Sequence, residues 1–162
     1  MRKTLFAFVA VMCLAAPRAF AANSTFMLVP GIPGESADAH HANWIDVVGV
    51  TQTLIEGEHR SAGPQCSIEV RKHLDIAGPR LWLAAVTGQT FDQIQIELVG
   101  STGQRFYQIL LNNAVVASIT TTDDNTTPAE HITLNMASVT LTYWRQKADG
   151  TLDAPVTQTF GC

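Results

Sequence analysis

Long apolar runs and basic clusters are scarce in this sequence of 162 residues. The one long apolar run, residues 5–16, is shorter than the ~20 residues that a helix needs to cross a bilayer. The chain has 10 Lys and Arg against 14 Asp and Glu, and none of the basic residues form a stripe that could neutralise nucleic-acid phosphates. These absences argue against a membrane-spanning helix and against nucleic acid as a partner.

Sequence motifs for catalysis are missing as well. There is no Gly-x-Ser-x-Gly elbow, and residues 31–34 (Gly-Ile-Pro-Gly) lack the Lys and Ser or Thr of a phosphate-binding loop. The carboxylate pairs Glu56/Glu58 and Asp123/Asp124 lie in loop-like stretches, where solvated charge is favoured over acid–base chemistry. We therefore predict a protein that is not an enzyme, with no catalytic residues and no cofactor.

The best candidates for a metal site are the adjacent His40 and His41, with Glu35 and Asp38 nearby. Neighbouring residues on an extended chain point in opposite directions and rarely bind one ion together. No second cluster of His or Cys lies close in sequence, so a solvated loop is favoured. We predict no metal site.

The beginning of the chain has the composition of a secretory signal. Two basic residues precede the apolar run, and residues 19–21 (Ala-Phe-Ala) resemble a cleavage site. We predict cleavage after Ala21, which makes residues 1–21 a signal peptide and residues 22–162 one folded domain. Cleavage removes three basic residues and no acidic one, so the net charge changes from −4 to −7. The mature protein is then secreted or periplasmic, with no membrane span.

Two of the 3 cysteines, Cys66 and Cys162, remain after this cleavage. An even pair in an oxidising compartment favours a disulfide. A bridge within one chain would close a long loop, for which the chain-entropy model gives roughly 4 to 5 kcal/mol of stabilisation. Because Cys162 is the last residue and terminal residues are usually mobile, a bond between two chains is the alternative.

Hydrophobic periodicity predicts a protein made mainly of β-strands. The predicted strands are residues 44–50, 67–71, 93–99, two runs within 105–119, and the stretch 131–144. In residues 93–99, Ile and Leu alternate with Gln93, Gln95 and Glu97, which are expected to face solvent. Asn112 and Asn113 indicate a turn or bulge. Within residues 131–144 the apolar residues change from even-numbered to odd-numbered positions, which predicts a bulge or bend near Ala137 and Ser138. Residues 120–127 are expected to form a surface loop.

One segment breaks the strand pattern. Residues 78–88 have Pro near the start and Gly at the end, which predicts a short amphipathic helix. Its expected apolar positions are Leu81, Trp82, Ala85 and Val86. The predicted fold class is therefore mainly β, a barrel or two-sheet sandwich with one helix covering an edge or an open end.

Three stretches carry motifs in a consistent order: residues 26–36 with 44–47, the segment from Lys72 to Gly88, and residues 132–136 with 146–151. The first contains Gly-Ile-Pro-Gly-Glu-Ser. The second contains Lys-x-x-Asp and a Pro-x-Leu helix start, and the third contains Ile-Thr-Leu-Asn-Met and Gln-Lys-Ala-Asp-Gly-Thr. Together they resemble the haemolysin-coregulated protein (Hcp) family, the tube-forming component of bacterial type VI secretion systems.

The resemblance implies a two-sheet β-barrel with one short helix, similar to phage tail-tube proteins. It implies a homo-hexameric ring, stacking of rings into an expelled tube, and a lumen that can hold small effector proteins. It also implies that the loop at residues 51–65 reaches a neighbouring subunit, although an ordinary mobile loop is the alternative. The residues expected in this contact are Glu56, Gly57, Glu58, His59 and Arg60.

The signal peptide leaves a second function open. Known members of the family mostly assemble in the cytoplasm without a cleaved signal. The main hypothesis is a non-enzymatic structural protein that forms hexameric rings and a tube, and that carries or is secreted with effectors. The alternative is an exported periplasmic binding module of the same fold that holds a peptide or small protein and does not build the tube.

Overall fold

The computed structural model describes residues 23–55, 63–123, 127–147 and 149–162, so the predicted signal peptide lies outside the described residues. Within these ranges the chain forms strands and one helix, and the prediction of a mainly β fold with a short helix is confirmed. The elements are β1 (Ser24–Leu28), β2 (Ile45–Val47), β3 (Gly49–Ile55), β4 (Gln65–His73), α1 (Gly78–Thr87), β5 (Thr90–Val99), β6 (Arg105–Thr122), β7 (Ala129–Asn135), β8 (Ser138–Tyr143) and β9 (Val156–Gly161).

The strands form one antiparallel sheet, which packs around the core in the order β2-β1-β5-β6-β7-β4-β3. The two ends of this order belong to one stretch of chain, because β2 ends at Val47 and β3 begins at Gly49. Within the described residues no strand pair closes the sheet; the chain joins its two ends at Val48, whose N–H donates to the carbonyl of Arg71 at 2.7 Å. The single strand predicted over residues 44–50 is therefore wrong in one respect: it bends at Val48 and pairs with β1 before the bend and with β4 after it.

β8 and β9 belong to the same sheet and branch from β6. β8 pairs with residues 107–112 of β6, whereas β7 pairs with residues 115–122. β6 changes its partner strand at Asn113, which has a φ of +49°, a conformation that Asn tolerates better than most residues. The predicted turn or bulge is therefore a corner inside one strand. The predicted bend near Ala137 lies at the same corner, because the N–H of Ala137 donates to the carbonyl of Asn112 at 3.0 Å.

Apolar side chains from most strands of the sheet fill the core. The side chains with 0% exposure include Met27, Ile45, Leu81, Ile94, Ile96, Ile109, Leu111 and Leu134. Each fully buried side chain of this size contributes about 1.5–3 kcal/mol relative to an exposed one. The alternation predicted for β5 is confirmed at Ile94 and Ile96, which both point into the core.

Helix α1 packs against β6. It begins where predicted, with Pro79 in its first turn, and it ends at Gly88, whose φ of +63° is the left-handed conformation that glycine adopts easily. Leu81 is buried as expected, but Trp82 is 42% exposed and Val86 is 80% exposed. The predicted apolar face is therefore wrong at these two positions, because the helix rests on a narrower stripe.

The predicted loop over residues 51–65 is shorter than expected. Residues 51–55 belong to β3, and they pair with β4 from Glu69 back to Gln65. The expected contact residues Glu56 to Arg60 lie outside the described part of the chain, so the subunit contact there stays a prediction. The predicted surface loop at residues 120–127 is also shorter, because β6 continues to Thr122.

Candidate functional site

The polar face of β5 is covered by another segment of the chain. Glu97 was expected to face solvent because it alternates with Ile96, yet Glu97 is only 5% exposed. Residues 35–44, between β1 and β2, bring His41 onto this face, where the ring contacts Phe26 and Glu97. The expectation that Glu97 faces solvent is therefore wrong, because alternation within one strand carries no information about a segment that folds over it.

His41 joins this covering segment to β5 through both ring nitrogens. Its Nδ1 lies 2.7 Å from Oδ1 of Asp38, and its Nε2 lies 3.0 Å from Oε2 of Glu97. Ionised carboxylates only accept hydrogen bonds, so a ring nitrogen that carries a proton donates to the carboxylate it faces. The ring also stacks on Phe26 with 4.2 Å between centroids and meets Trp44 edge-on at 4.9 Å. The prediction of a solvated loop is wrong for His41, which is 4% exposed.

Glu97 accepts hydrogen bonds from four side chains, which are His41, Gln95, Arg105 and Gln108. Burial alone would raise the pKa of this carboxyl group. The hydrogen bonds from His41 and Arg105 outweigh burial and hold the pKa of Glu97 below its ordinary value. The hydrogen bond to His41 likewise lowers the pKa of Asp38, which is more exposed. Both carboxylates are therefore ionised at neutral pH.

We expect the stability of the fold to decrease as acid protonates Glu97. The folded-state pKa lies below the ordinary value of 4.5, so the stabilisation is complete above that value and is lost as the pH falls through the folded-state pKa. Urea-unfolding midpoints measured from about pH 6 to about pH 3 should decrease, and they should decrease less steeply in Glu97→Gln.

The matched control for this pH dependence is Asp149→Asn. Hydrogen bonds from the backbone and side chain of Thr151 also lower the pKa of Asp149, but at an exposed site where solvent screens the charge. Its curve should therefore follow that of the wild type. Parallel curves for the wild type and Glu97→Gln would contradict the assignment to Glu97.

A second buried cluster surrounds Lys72 of β4, whose side chain is fully buried. Its Nζ donates to Oε2 of Glu130 at 2.6 Å and to the carbonyl of His73 at 2.8 Å, and it lies 2.7 Å from Oδ1 of Asp75. Glu130 lies directly opposite Lys72 on β7. A Cβ added to Gly78, at the start of α1, would lie 2.8 Å from Oε1 of Glu130. The cluster therefore ties β4, β7 and the helix start together.

The structure contains a disulfide between Cys66 and Cys162, whose Cα atoms are 5.3 Å apart. The bond links β4 to the residue that follows β9. The N–H of Cys162 also donates to the carbonyl of Ala137 at 2.9 Å, close to the corner between β7 and β8. Of the two arrangements that the sequence left open, the structure has the bridge within one chain.

Within the described ranges, no group of three or more His, Cys, Asp or Glu side chains is arranged to hold a metal ion. The same residues include no helix long and apolar enough to cross a membrane. The charged groups in the two buried clusters bind one another, and this arrangement fastens segments of the chain together.

The family described as "Type VI secretion system effector, Hcp" matches residues 26–143. This chain belongs to the Hcp family. The protein hcp1 of Pseudomonas aeruginosa is 30% identical over 143 residues, which cover 79% of this chain and 87% of that protein.

Solved structures related to the Hcp family share the fold. One described as a type six secretion system protein has a TM-score of 0.77 at 24% identity and covers 86% of this chain and 96% of its own. Hcp1 from Salmonella typhimurium has a TM-score of 0.75 at 20% identity, with coverage of 87% and 95%. A type VI secretion system effector from Yersinia pestis has a TM-score of 0.72 at 21% identity, with coverage of 85% and 99%.

The motifs that resemble the Hcp family have structural roles in this chain. Lys72 and Asp75 of Lys-x-x-Asp belong to the buried cluster. Gly34 of Gly-Ile-Pro-Gly-Glu-Ser lies so close to the next strand that an added Cβ would be 2.3 Å from the carbonyl oxygen of Trp44. Glu97 and Glu130 were not singled out as site residues from the sequence, because His41 and Lys72, which they bind, lie 56 and 58 residues away.

Proposed function

We propose that this Hcp-family chain is a non-enzymatic structural subunit that forms hexameric rings, and that the rings stack into the tube of a type VI secretion system. The observation that carries the proposal is the family match over residues 26–143. The fold likeness supports it, since the chain covers 96% of a solved type six secretion system protein. Small effector proteins held in the lumen are the proposed partners.

Each subunit of such a ring needs two different patches that complement each other, because the contact is heterologous. We propose that residues 56–60 take part in one of these patches. In the sequence they directly follow Leu54 and Ile55 of β3, which are 57% and 58% exposed and offer an apolar surface for a contact. A mature net charge of −7 makes subunits repel one another, so moderate salt should favour assembly.

We propose further that residues 1–21 are a cleaved signal peptide and that the mature chain is secreted or periplasmic. The disulfide supports this location, because such bonds persist in oxidising compartments. Sequencing the N-terminus of the protein from its native host tests the proposal. We expect the mature chain to begin at Ala22, whereas a chain that begins at Met27 would contradict cleavage after Ala21.

The ring is tested by light scattering and electron microscopy of the mature chain at about 10 μM, a concentration typical of stable oligomers. We expect a particle of about six subunit masses and ring-shaped images. Ile55→Asp should dissociate the ring because it places a charge beside the proposed contact. Leu83→Asp, the same type of change on the exposed side of α1, should not.

A monomer in light scattering with no rings in the images would contradict the proposed function. The exported binding module would then be the better hypothesis, and co-purification of a peptide or small protein would support it. If the rings survive Ile55→Asp but dissociate in Leu83→Asp, the proposed ring would stand, and its subunit contact would be assigned to the helix and not to residues 56–60.

A further inference from the structure

A cleft of about 460 Å³ opens beside the buried cluster of His41 and Glu97. Its volume lies within the range of about 300–1,000 Å³ that is usual for small-molecule sites. The side chains that line it come from separate segments of the chain, which include the segment that covers β5 and the segment that follows β8. They include two indoles and one guanidinium, which are Trp44, Trp144 and Arg105.

The guanidinium of Arg105 is held in place, but most of its hydrogen-bond donors have no partner within the described residues. Its guanidinium lies over the ring of Trp144, 4.5 Å from the ring centre, and one of its nitrogens donates to Glu97. Its side chain is 37% exposed. A guanidinium has five N–H donors, and within the described part of the chain the bond to Glu97 is the only hydrogen bond of the Arg105 side chain. The remaining donors are therefore free for a ligand, on a group that is already oriented.

Among the charged groups beside the cleft, Glu97 already has its hydrogen-bond partners, whereas Arg105 can still donate to an acceptor on a ligand. Glu97 is occupied by four donors, so it offers no strong site for a ligand donor. Its negative charge is paired with Arg105, and its other oxygen lies against the ring of His41, which also binds Asp38. Among the charged side chains that line the cleft, Arg105 is thus the one with open donors, and its fork of N–H groups matches a carboxylate in geometry.

We propose that this cleft binds a ligand in which a carboxylate lies close to an aromatic ring. Two parallel N–H groups of Arg105 hold the carboxylate, and the ring packs against the indoles of Trp44 and Trp144. Free aromatic amino acids with a blocked amine, or the last residue of a peptide, have this chemistry. The proposal concerns the single subunit and does not depend on ring assembly.

Tryptophan fluorescence of the full mature chain tests the proposal with N-acetyl-L-phenylalanine as the probe. The measurement uses a Trp82→Phe background, which removes the exposed indole of α1 and leaves the two that line the cleft. We expect a saturable change with the acid, and binding of the uncharged N-acetyl-L-phenylalaninamide that is at least about tenfold weaker. No saturable change up to about 20 mM, or equal affinity for acid and amide, would overturn the proposal.

A second experiment tests the role of Arg105 by comparing the affinity of Arg105→Lys for the acid with that of Arg145→Gln. Lysine keeps a positive charge beside Glu97, so the fold is maintained, but it lacks the fork that binds a carboxylate with two hydrogen bonds. We expect binding of the acid to weaken about tenfold in Arg105→Lys. Arg145 is adjacent to Trp144 but pairs with Asp153 outside the cleft, so its variant should bind within about twofold of the parent. Unchanged affinity in Arg105→Lys would overturn the role of Arg105.

Discussion

The variant Lys72→Met should have a free energy of unfolding about 3–5 kcal/mol lower than that of the wild type. The ammonium group of Lys72 is fully buried, with Oε2 of Glu130 at 2.6 Å and Oδ1 of Asp75 at 2.7 Å. Methionine has a similar length and fills the same space without a charge. The loss therefore comes from leaving two carboxylates without their cation, one of which is 3% exposed and the other 10%.

Urea unfolding at pH 7, followed by circular dichroism, measures this loss. The matched control is Lys147→Met, the same substitution at a lysine whose side chain is 46% exposed and pairs with Asp153. Solvent screens that pair, so the control should change stability by less than about 1 kcal/mol. Equal effects of the two substitutions would contradict the importance of the buried cluster.

A double variant separates charge from packing at the same site. In Lys72→Met with Glu130→Gln, one of the two uncompensated carboxylates becomes a neutral amide of nearly the same shape. We expect the double variant to be more stable than Lys72→Met alone, because it has one buried uncompensated charge fewer. The effects of two substitutions on the free energy of unfolding are not additive when the residues are in contact. A double variant that is less stable by the full sum of the two single effects would show that packing, and not charge, dominates at Lys72.

The helix and several of the strands could be predicted because the information for them is local. Ile94 and Ile96 alternate with polar residues, and Pro79 and Gly88 bracket the helix. Alternation also shows why Lys72 is buried, since it continues the inward-facing positions of Ile68 and Val70 on β4. The strand predicted at residues 67–71 stops one residue before Lys72, and a charged residue gives no apolar signal that would extend it.

The cluster around His41 could not be predicted in the same way. Its burial depends on residues 35–44 crossing the outer face of β5, where Glu97 lies 56 residues further along the chain. The sequence does draw attention to some of the residues in the cluster, since the adjacent histidines and the nearby Asp38 were considered for a metal site. It does not show that Glu97 binds both His41 and Arg105, because the contact with His41 forms only when segments distant in sequence pack together.

Replacing both cysteines, in Cys66→Ser with Cys162→Ser, should lower the free energy of unfolding by about 4–5 kcal/mol, the chain-entropy value for a loop of this length. The bridge joins residues 96 positions apart, so it removes many conformations from the unfolded chain. It also fastens the end of β9, a strand that pairs with β8 and whose residues are mostly exposed. Both cysteines are replaced together so that no single thiol remains to form bonds between chains.

Mass spectrometry after digestion without a reducing agent should first show the peptide of Cys66 joined to the peptide of Cys162. Urea unfolding then compares four samples, the wild type and the double variant, each with and without dithiothreitol. The reductant should bring the midpoint of the wild type to that of the double variant, and it should leave the double variant unchanged, which makes that variant its own control. Two free thiols in the oxidised wild type, or a midpoint that does not respond to reduction, would contradict a stabilising bridge, because the unfolded chain would then be equally free with and without it.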